Sequence, residues 1–218
     1  MPWWGRWDPG RERARMVAHQ LRDRGIRDER VLDAFGRVPR EAFVETGRER
    51  SAYDDRPLDI GRGQTISQPW VVAVMLEALD LHPSDRLLEV GVGSGYAIAL
   101  ASLLVGEAYG VERLPELADA ARERLGRLGF GAIRIRTGDG TTGWPEAAPF
   151  DAILVSAGGR EVPAALVTQL AAGGRMVIPV GGEHDQDLLL VARAASGEVS
   201  QSSLGPVRFV PLIPDAPG

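Results

Sequence analysis

The sequence predicts an α/β fold in which a mostly parallel sheet, closed by an antiparallel C-terminal pair, carries helices on both faces. Three observations predict it. Between residues 86 and 180, short apolar runs alternate with stretches of helical period, the pattern of strand–helix–strand units with right-handed crossovers. The run Leu87-Leu88-Glu89-Val90 passes straight into Gly91-Val92-Gly93-Ser94-Gly95-Tyr96, a buried strand entering a glycine-rich turn and then a helix. After Gly181-Gly182 the alternation stops, and two strand-like runs follow with no helix between them.

Composition narrows the possibilities. At 218 residues the chain holds one substantial α/β unit with room for a small appendage. A hydrophobic content of 44% with 25% charged residues is that of a soluble globular protein. A net charge of -5 leaves no basic excess to neutralise phosphates, so nucleic acid is not an expected partner. Without Cys there are no disulfides, thiolate nucleophiles or Cys-ligated metals. No stretch approaches the roughly 20 apolar residues of a membrane helix, and the first residues lack a signal-peptide run, so no membrane and a cytoplasmic location are expected. The basic residues are all Arg, read as a compositional bias of the source.

In order along the chain, residues 1–10 carry three Trp among Pro and Gly and read as an anchor or a frayed tail. Residues 11–24 form a helix with Ala14, Val17 and Leu21 on its apolar face, stopped by Gly25. A second helix covers residues 29–35, where Val31, Leu32 and Phe35 share a side. Residues 51–66 show no period and hold Gly61, Gly63 and Pro57, an irregular segment long enough to suspect a function. Ser67 then opens a helix as its N-cap, with Pro69 in the first turn and Val72, Leu76 and Leu79 inward. Strands follow at 86–91, 107–111, 132–136, 150–155 and 175–180, with helices at 95–104, 114–128 and 162–170. Gly129 ends the second of these helices and Gly173-Gly174 the third. Residues 187–193 and 203–209 are the antiparallel pair, and 214–218 a disordered tail. The expected division is a lead-in and substrate loop at 1–66, an α/β core at 67–182 and C-terminal strands at 183–218, all in one domain.

The glycine turn asks for a nucleotide-like ligand, and neighbouring residues narrow it. A dinucleotide fingerprint spaces its third Gly one residue later and wants a small residue where Tyr96 stands. Glu89 would repel a pyrophosphate but suits a ligand carrying a cationic amino group. Glu112 closes the second strand, where a carboxylate accepts ribose hydroxyls, and Asp139 in Gly138-Asp139-Gly140 follows the third, in reach of an adenine amine. Three acids at successive strand ends, on the edge where open α/β sheets bind ligands, point to the amino, ribose and adenine groups of S-adenosylmethionine.

A set of blocks is then informative: Ala52-Tyr53-Asp54-Asp55, Gly61-Arg62-Gly63-Gln64-Thr65-Ile66-Ser67-Gln68-Pro69, Glu89-Val90-Gly91-Val92-Gly93-Ser94-Gly95-Tyr96, Val111-Glu112-Arg113, Gly138-Asp139-Gly140, Gly143-Trp144-Pro145, Ala148-Pro149-Phe150-Asp151 and Val207-Arg208-Phe209-Val210-Pro211-Leu212. Through them the chain, from about residue 16 to 212, resembles the protein-L-isoaspartate O-methyltransferase family. The resemblance implies a Rossmann-like methyltransferase fold with a seven-stranded sheet. It implies transfer of a methyl group from S-adenosylmethionine to the α-carboxyl of L-isoaspartyl residues in damaged proteins and peptides, with S-adenosylhomocysteine as product. The ester then closes to a succinimide that reopens partly to aspartate. It also implies Ser67 as the active-site residue, with Thr65, Ile66, Gln186 and Arg208 toward substrate. Toward cofactor it implies Glu89, Gly91, Gly93, Ser94, Gly95, Glu112, Arg113, Asp139 and Gly140. No metal and a monomer are expected. A carboxylate with a pKa of about 4 is already ionised at neutral pH, so the reaction needs alignment more than acid–base catalysis. The absence of a His/Asp dyad fits, and His19, His82 and His184 are expected to be structural or exposed.

The sequence departs from the family in Val92, where Thr is usual, and in Ser156-Ala157-Gly158-Gly159-Arg160, where Thr-Ala-Ala-Ala or a close variant followed by Pro is usual. The altered loop and the Trp-rich start would also suit a relative that methylates an aspartate of one dedicated peptide. A non-catalytic S-adenosylmethionine-binding module is a third reading, and an NAD oxidoreductase the weakest.

Overall fold

In the computed structural model of the chain, which describes residues 7–182 and 184–214, the Asp8 carboxylate accepts from the Gly10 and Arg11 amides. It thereby caps helix α1, Pro9–Arg15. The same path continues as a π-helical turn, Met16–Leu21, and a 3-10 turn, Arg22–Arg24, until Gly25 stops it at φ 105°. The wider π turn changes the inward face: Met16 and Leu21 are buried, whereas Ala14, expected inward from α-helical spacing, is exposed. Trp3 and Trp4 of the N-terminal stretch, and the end of the C-terminal tail, lie outside the described residues. Helix α2, Glu29–Arg37, buries Val31, Leu32 and Phe35 as their spacing predicts.

Within the irregular segment, β1 (Leu58–Asp59) and β2 (Thr65–Ile66) pair antiparallel, with Leu58 opposite Ile66. Two-residue strands leave no periodic signature. Helix α3, Pro69–Ala78, starts one residue later than a Ser67 cap requires. Pro69 forces the residue before it out of the helical region, and Gln68 sits at φ -51° and ψ 135° as the N-cap. Ser67 therefore does not cap the helix.

The main sheet contains β3 (Arg86–Val90), β4 (Glu107–Glu112), β5 (Arg134–Thr137), β6 (Phe150–Val155), β7 (Leu170–Gly181), β8 (Gln186–Arg193) and β9 (Val199–Val207), in spatial order β5-β4-β3-β6-β7-β8-β9. The first five are parallel; β8 runs antiparallel to both β7 and β9. Helices α4 (Tyr96–Ala101), α5 (Pro115–Arg127) and α6 (Ala164–Thr168) make the crossovers. Gly173-Gly174 does not end a long helix as expected. It lies inside β7, where the register against β6 shifts between Phe150 and Ala152, and Gly173, at φ 82°, absorbs the irregularity. The last strand begins earlier than its apolar residues suggest, because an edge strand facing water needs no hydrophobic pattern.

The pleat of the central strands divides the core. Leu87, Ala152, Leu154 and Val177 face a large cluster built with α2, α3, α4 and the lead-in. Their neighbours Leu88, Val90, Ile153, Val155, Met176 and Ile178 face a smaller one with Leu166. The lead-in covers the bulky Tyr96: Phe35 and Phe43 close over its ring edge-on, at centroid distances of 6.0 and 5.4 Å.

Candidate active site

Strand order reverses at β3. The chain proceeds outward through β4 and β5, then returns on the other side with β6, and the crevice outside the carboxyl ends of β3 and β6 is the topological switch point. Gly91, Gly93 and Gly95 turn the chain there with φ of 84°, 52° and 89°, values that a residue with a Cβ rarely adopts. Ser94 lies within the turn, its Oγ accepting from the Tyr96 amide at 3.3 Å.

The acids at the strand ends differ in what they do. Glu112 is buried and accepts from the Gly93 amide through Oε2 and the Leu114 amide through Oε1, both at 2.9 Å. It locks the glycine turn to the end of β4. Glu89 is 1% exposed; Ser156, at the end of β6, donates its hydroxyl to Oε1 at 2.7 Å, and Oε2 has no protein partner. Burial pushes the Glu89 carboxyl up to about 8, with the Ser156 hydroxyl opposing the shift and the nearby Glu112 adding to it. Asp139 caps the 3-10 turn Gly140–Thr142, accepting from the amide and hydroxyl of Thr141 at 2.7 Å. It stands beside the cavity rather than in its wall, whereas Gly140 lines it. A Cβ at Gly140 would come within 2.6 Å of the Val90 side chain.

Two adjoining cavities occupy the crevice. The first is lined by Thr65, Ile66, Ser67, Glu89, Gly91, Gly93, Ser94, Glu112, Arg113, Gly140 and Ser156, and covered by residues 209–213. The second, a groove, is lined by Arg24, Trp70, Arg208 and their neighbours. Thr65, Ser67, Ser156, Phe209 and Val210 belong to both walls, so they stand where the cavities meet. Arg24 pairs with Asp55 and lies 4.4 Å over the Trp70 ring, and Arg208 contacts His184 at 3.3 Å.

The fold gathers most of the expected site residues at one crevice, with three placed differently from expectation. Asp139 is set back from the wall, Gly95 faces α5, where a Cβ would meet Leu125 at 3.3 Å, and Gln186 is buried behind the groove. The Gln186 amide accepts from the Phe209 amide at 2.7 Å and donates to the Phe209 carbonyl at 3.2 Å, pinning the segment that covers the first cavity. The unusual loop fits that clamp. A Cβ at Gly158 would lie 2.4 Å from Gln186 Nε2, and the Gly158 main chain pairs with Val210 and Leu212. Three contributors were not singled out as site residues. Ser156 is read only as part of a departing loop, residues 209–212 only within the motif at 207–212, and Arg40 not at all. Arg40 is fully buried, its Nε donating to the Ala52 carbonyl at 2.6 Å and Nη2 to the Ser67 carbonyl at 2.8 Å.

A cationic amino group suits the orphaned buried Oε2 of Glu89, ribose hydroxyls suit the remaining lone pairs of Glu112, and a flat ring suits a wall where Gly140 permits no side chain. This fold and this donor set define a Rossmann-like methyltransferase. A family model described as protein-L-isoaspartate(D-aspartate) O-methyltransferase matches residues 12–216, and the chain belongs to that family. It is 56% identical over 201 residues to a protein-L-isoaspartate O-methyltransferase of Methylorubrum populi, covering 92% of this chain and 94% of the relative. Among solved structures, one named protein-L-isoaspartate O-methyltransferase matches with TM-score 0.83 and 30% identity, over 94% of this chain and 66% of that longer one. A Plasmodium falciparum β-aspartate methyltransferase in complex with S-adenosyl-L-homocysteine matches with TM-score 0.76 and 26% identity, over 93% of this chain and 98% of its own.

Proposed function

We propose that the chain methylates the α-carboxyl of L-isoaspartyl residues in damaged proteins and peptides, using S-adenosylmethionine, and so initiates their repair through a succinimide. The observation that carries the reading is the shared wall: Ser67 and Thr65 line both the cavity that suits the cofactor and the groove that suits a peptide.

In this reading Glu89 holds the cofactor's amino group, Glu112 its ribose, and the Asp139–Gly140 turn its adenine, with Gly91, Gly93, Ser94, Gly95 and Arg113 forming the rest of the seat. S-adenosylmethionine supplies a methyl group on a sulfonium, electrophilic enough to need no acid. The α-carboxylate of the substrate is ionised at neutral pH and needs no base. What remains for the protein is orientation and removal of water. Ser67 orients the carboxylate by hydrogen bond, Thr65 and Ile66 flank it, and Phe209 and Leu212 exclude solvent from above. Arg208, exposed at the groove, attracts the substrate's negative charge, and Gln186 acts one step back by holding Phe209. The chain is taken to act as a monomer in the cytoplasm, on protein and peptide substrates rather than nucleic acid or membrane. A net charge of -5 supports the former. Among the described residues, no helix is long and apolar enough to cross a membrane.

The test is labelled S-adenosylmethionine with matched isoaspartyl and aspartyl versions of an arbitrary peptide. Label is expected in the isoaspartyl form alone. Label in neither form, with cofactor still bound, would overturn the reading.

A further inference from the structure

Arg40 follows Val38-Pro39 within the lead-in, opening the 3-10 turn Arg40–Phe43, and is 0% exposed. Taking a guanidinium out of water is costly unless strong partners compensate. Here the hydrogen-bond partners are the Ala52 and Ser67 carbonyls, the Tyr96 ring lies 4.8 Å from the guanidinium carbon, and Nη1 has no partner. An apolar side chain in its place would leave both carbonyls without a donor, so what Arg40 supplies is a grip on the main chain and not packing alone. Its planar fork ties together segments far apart in sequence: Ala52 after the 49–51 turn, Ser67 before α3, and Tyr96, the first residue of α4 beyond the glycine turn. Ser67 and Tyr96 both border the first cavity.

From this we propose that Arg40 is a positioning residue for methyl transfer, holding the Ser67 main chain in fixed register with the glycine turn so that the Ser67 side chain meets the incoming carboxylate. The proposal rests on the assignment of Ser67 to substrate contact. The single ammonium of Lys replaces such a fork only in part, keeping the charge and a donor for a carbonyl but not the planar grip on two carbonyls and a ring.

A double-mutant cycle tests it in the full chain, with isoaspartyl peptide and labelled S-adenosylmethionine. Arg40→Met is expected to lower kcat by about 100-fold, the scale of a misplacement near 1 Å. Arg40→Lys should lose less, and S-adenosylhomocysteine affinity should stay unchanged in both. On a Ser67→Ala background the Arg40 substitutions should cost little more, since residues acting as a unit are non-additive. Full additivity, or an unchanged kcat, overturns the proposal; should Arg40→Met not fold, Arg40→Lys carries the cycle. If Ser67→Ala alone leaves turnover intact, the Ser67 assignment has failed and the proposal with it, whereas an additive cycle removes Arg40 and leaves Ser67 standing.

Discussion

The hydroxyl of Ser156 donates to Glu89 Oε1 at 2.7 Å, and this bond ties the carboxyl ends of the neighbouring strands β6 and β3 together at the crevice. It secures one oxygen of a buried carboxyl and leaves the other for a ligand. The donor belongs to the loop that departs most from the family's usual sequence, yet it retains the hydroxyl that a Thr would supply there. The departure lies further on, at Gly158, where the missing side chain is occupied by Gln186.

With Glu89 in its proposed role toward the cofactor's amino group, binding is expected to depend on pH: burial pushes the carboxyl up to about 8, an ammonium partner favours the ionised form, and binding should release a proton. Affinity for S-adenosylhomocysteine should rise between pH 6 and pH 8, with proton release visible by calorimetry in buffers of different ionisation enthalpy. Glu89→Gln should weaken binding by roughly 10–100-fold, the worth of a charge-assisted hydrogen bond, and flatten the dependence.

The same group shapes stability without ligand. Its folded pKa, about 8, lies above the ordinary 4.5, so its contribution is fully present below 4.5 and is lost as pH rises through 8. The difference in Tm between wild type and Glu89→Gln should therefore move against wild type from pH 5 to pH 9. A constant difference would show that Glu89 titrates normally.

Ser67→Ala should cut turnover of isoaspartyl peptide with little change in S-adenosylhomocysteine affinity or Tm. Because Gln68, not Ser67, occupies the N-cap of α3, no capping loss is expected. Unchanged turnover would remove Ser67 from the site.

Gly140→Ala places a methyl group 2.6 Å from the Val90 side chain, against a central strand that cannot withdraw. Overpacking of this kind costs about 1–3 kcal/mol, and the cofactor wall shifts with it. Both lower Tm and weaker S-adenosylhomocysteine binding should appear; loss of one without the other would separate packing from the site.

Gly158→Ala should displace the Gln186 amide, which its two bonds to Phe209 hold in place. The expected result is a raised KM for peptide. Adding Gln186→Ala should cost less in this variant than in wild type, and simple additivity would show that the two do not share the space.

What period and punctuation encode was readable in the chain. The alternation from 86 to 180 announced the parallel sheet, the loss of alternation after Gly181 announced the antiparallel close, and the glycine turn with Glu89 and Glu112 located the ligand end. Those signals are local, because each follows from how a few neighbouring residues meet water and allow backbone angles. Folding decided what depends on distant partners. Only the assembled sheet brings Ser156 to Glu89 across 67 positions of sequence, or Gln186 behind Phe209. Only the packed lead-in buries Arg40, which in the sequence is one Arg among many, and turns it toward the carbonyl of Ser67. Burial and hydrogen-bond partnership are properties of the whole packed chain, and no window of sequence contains them.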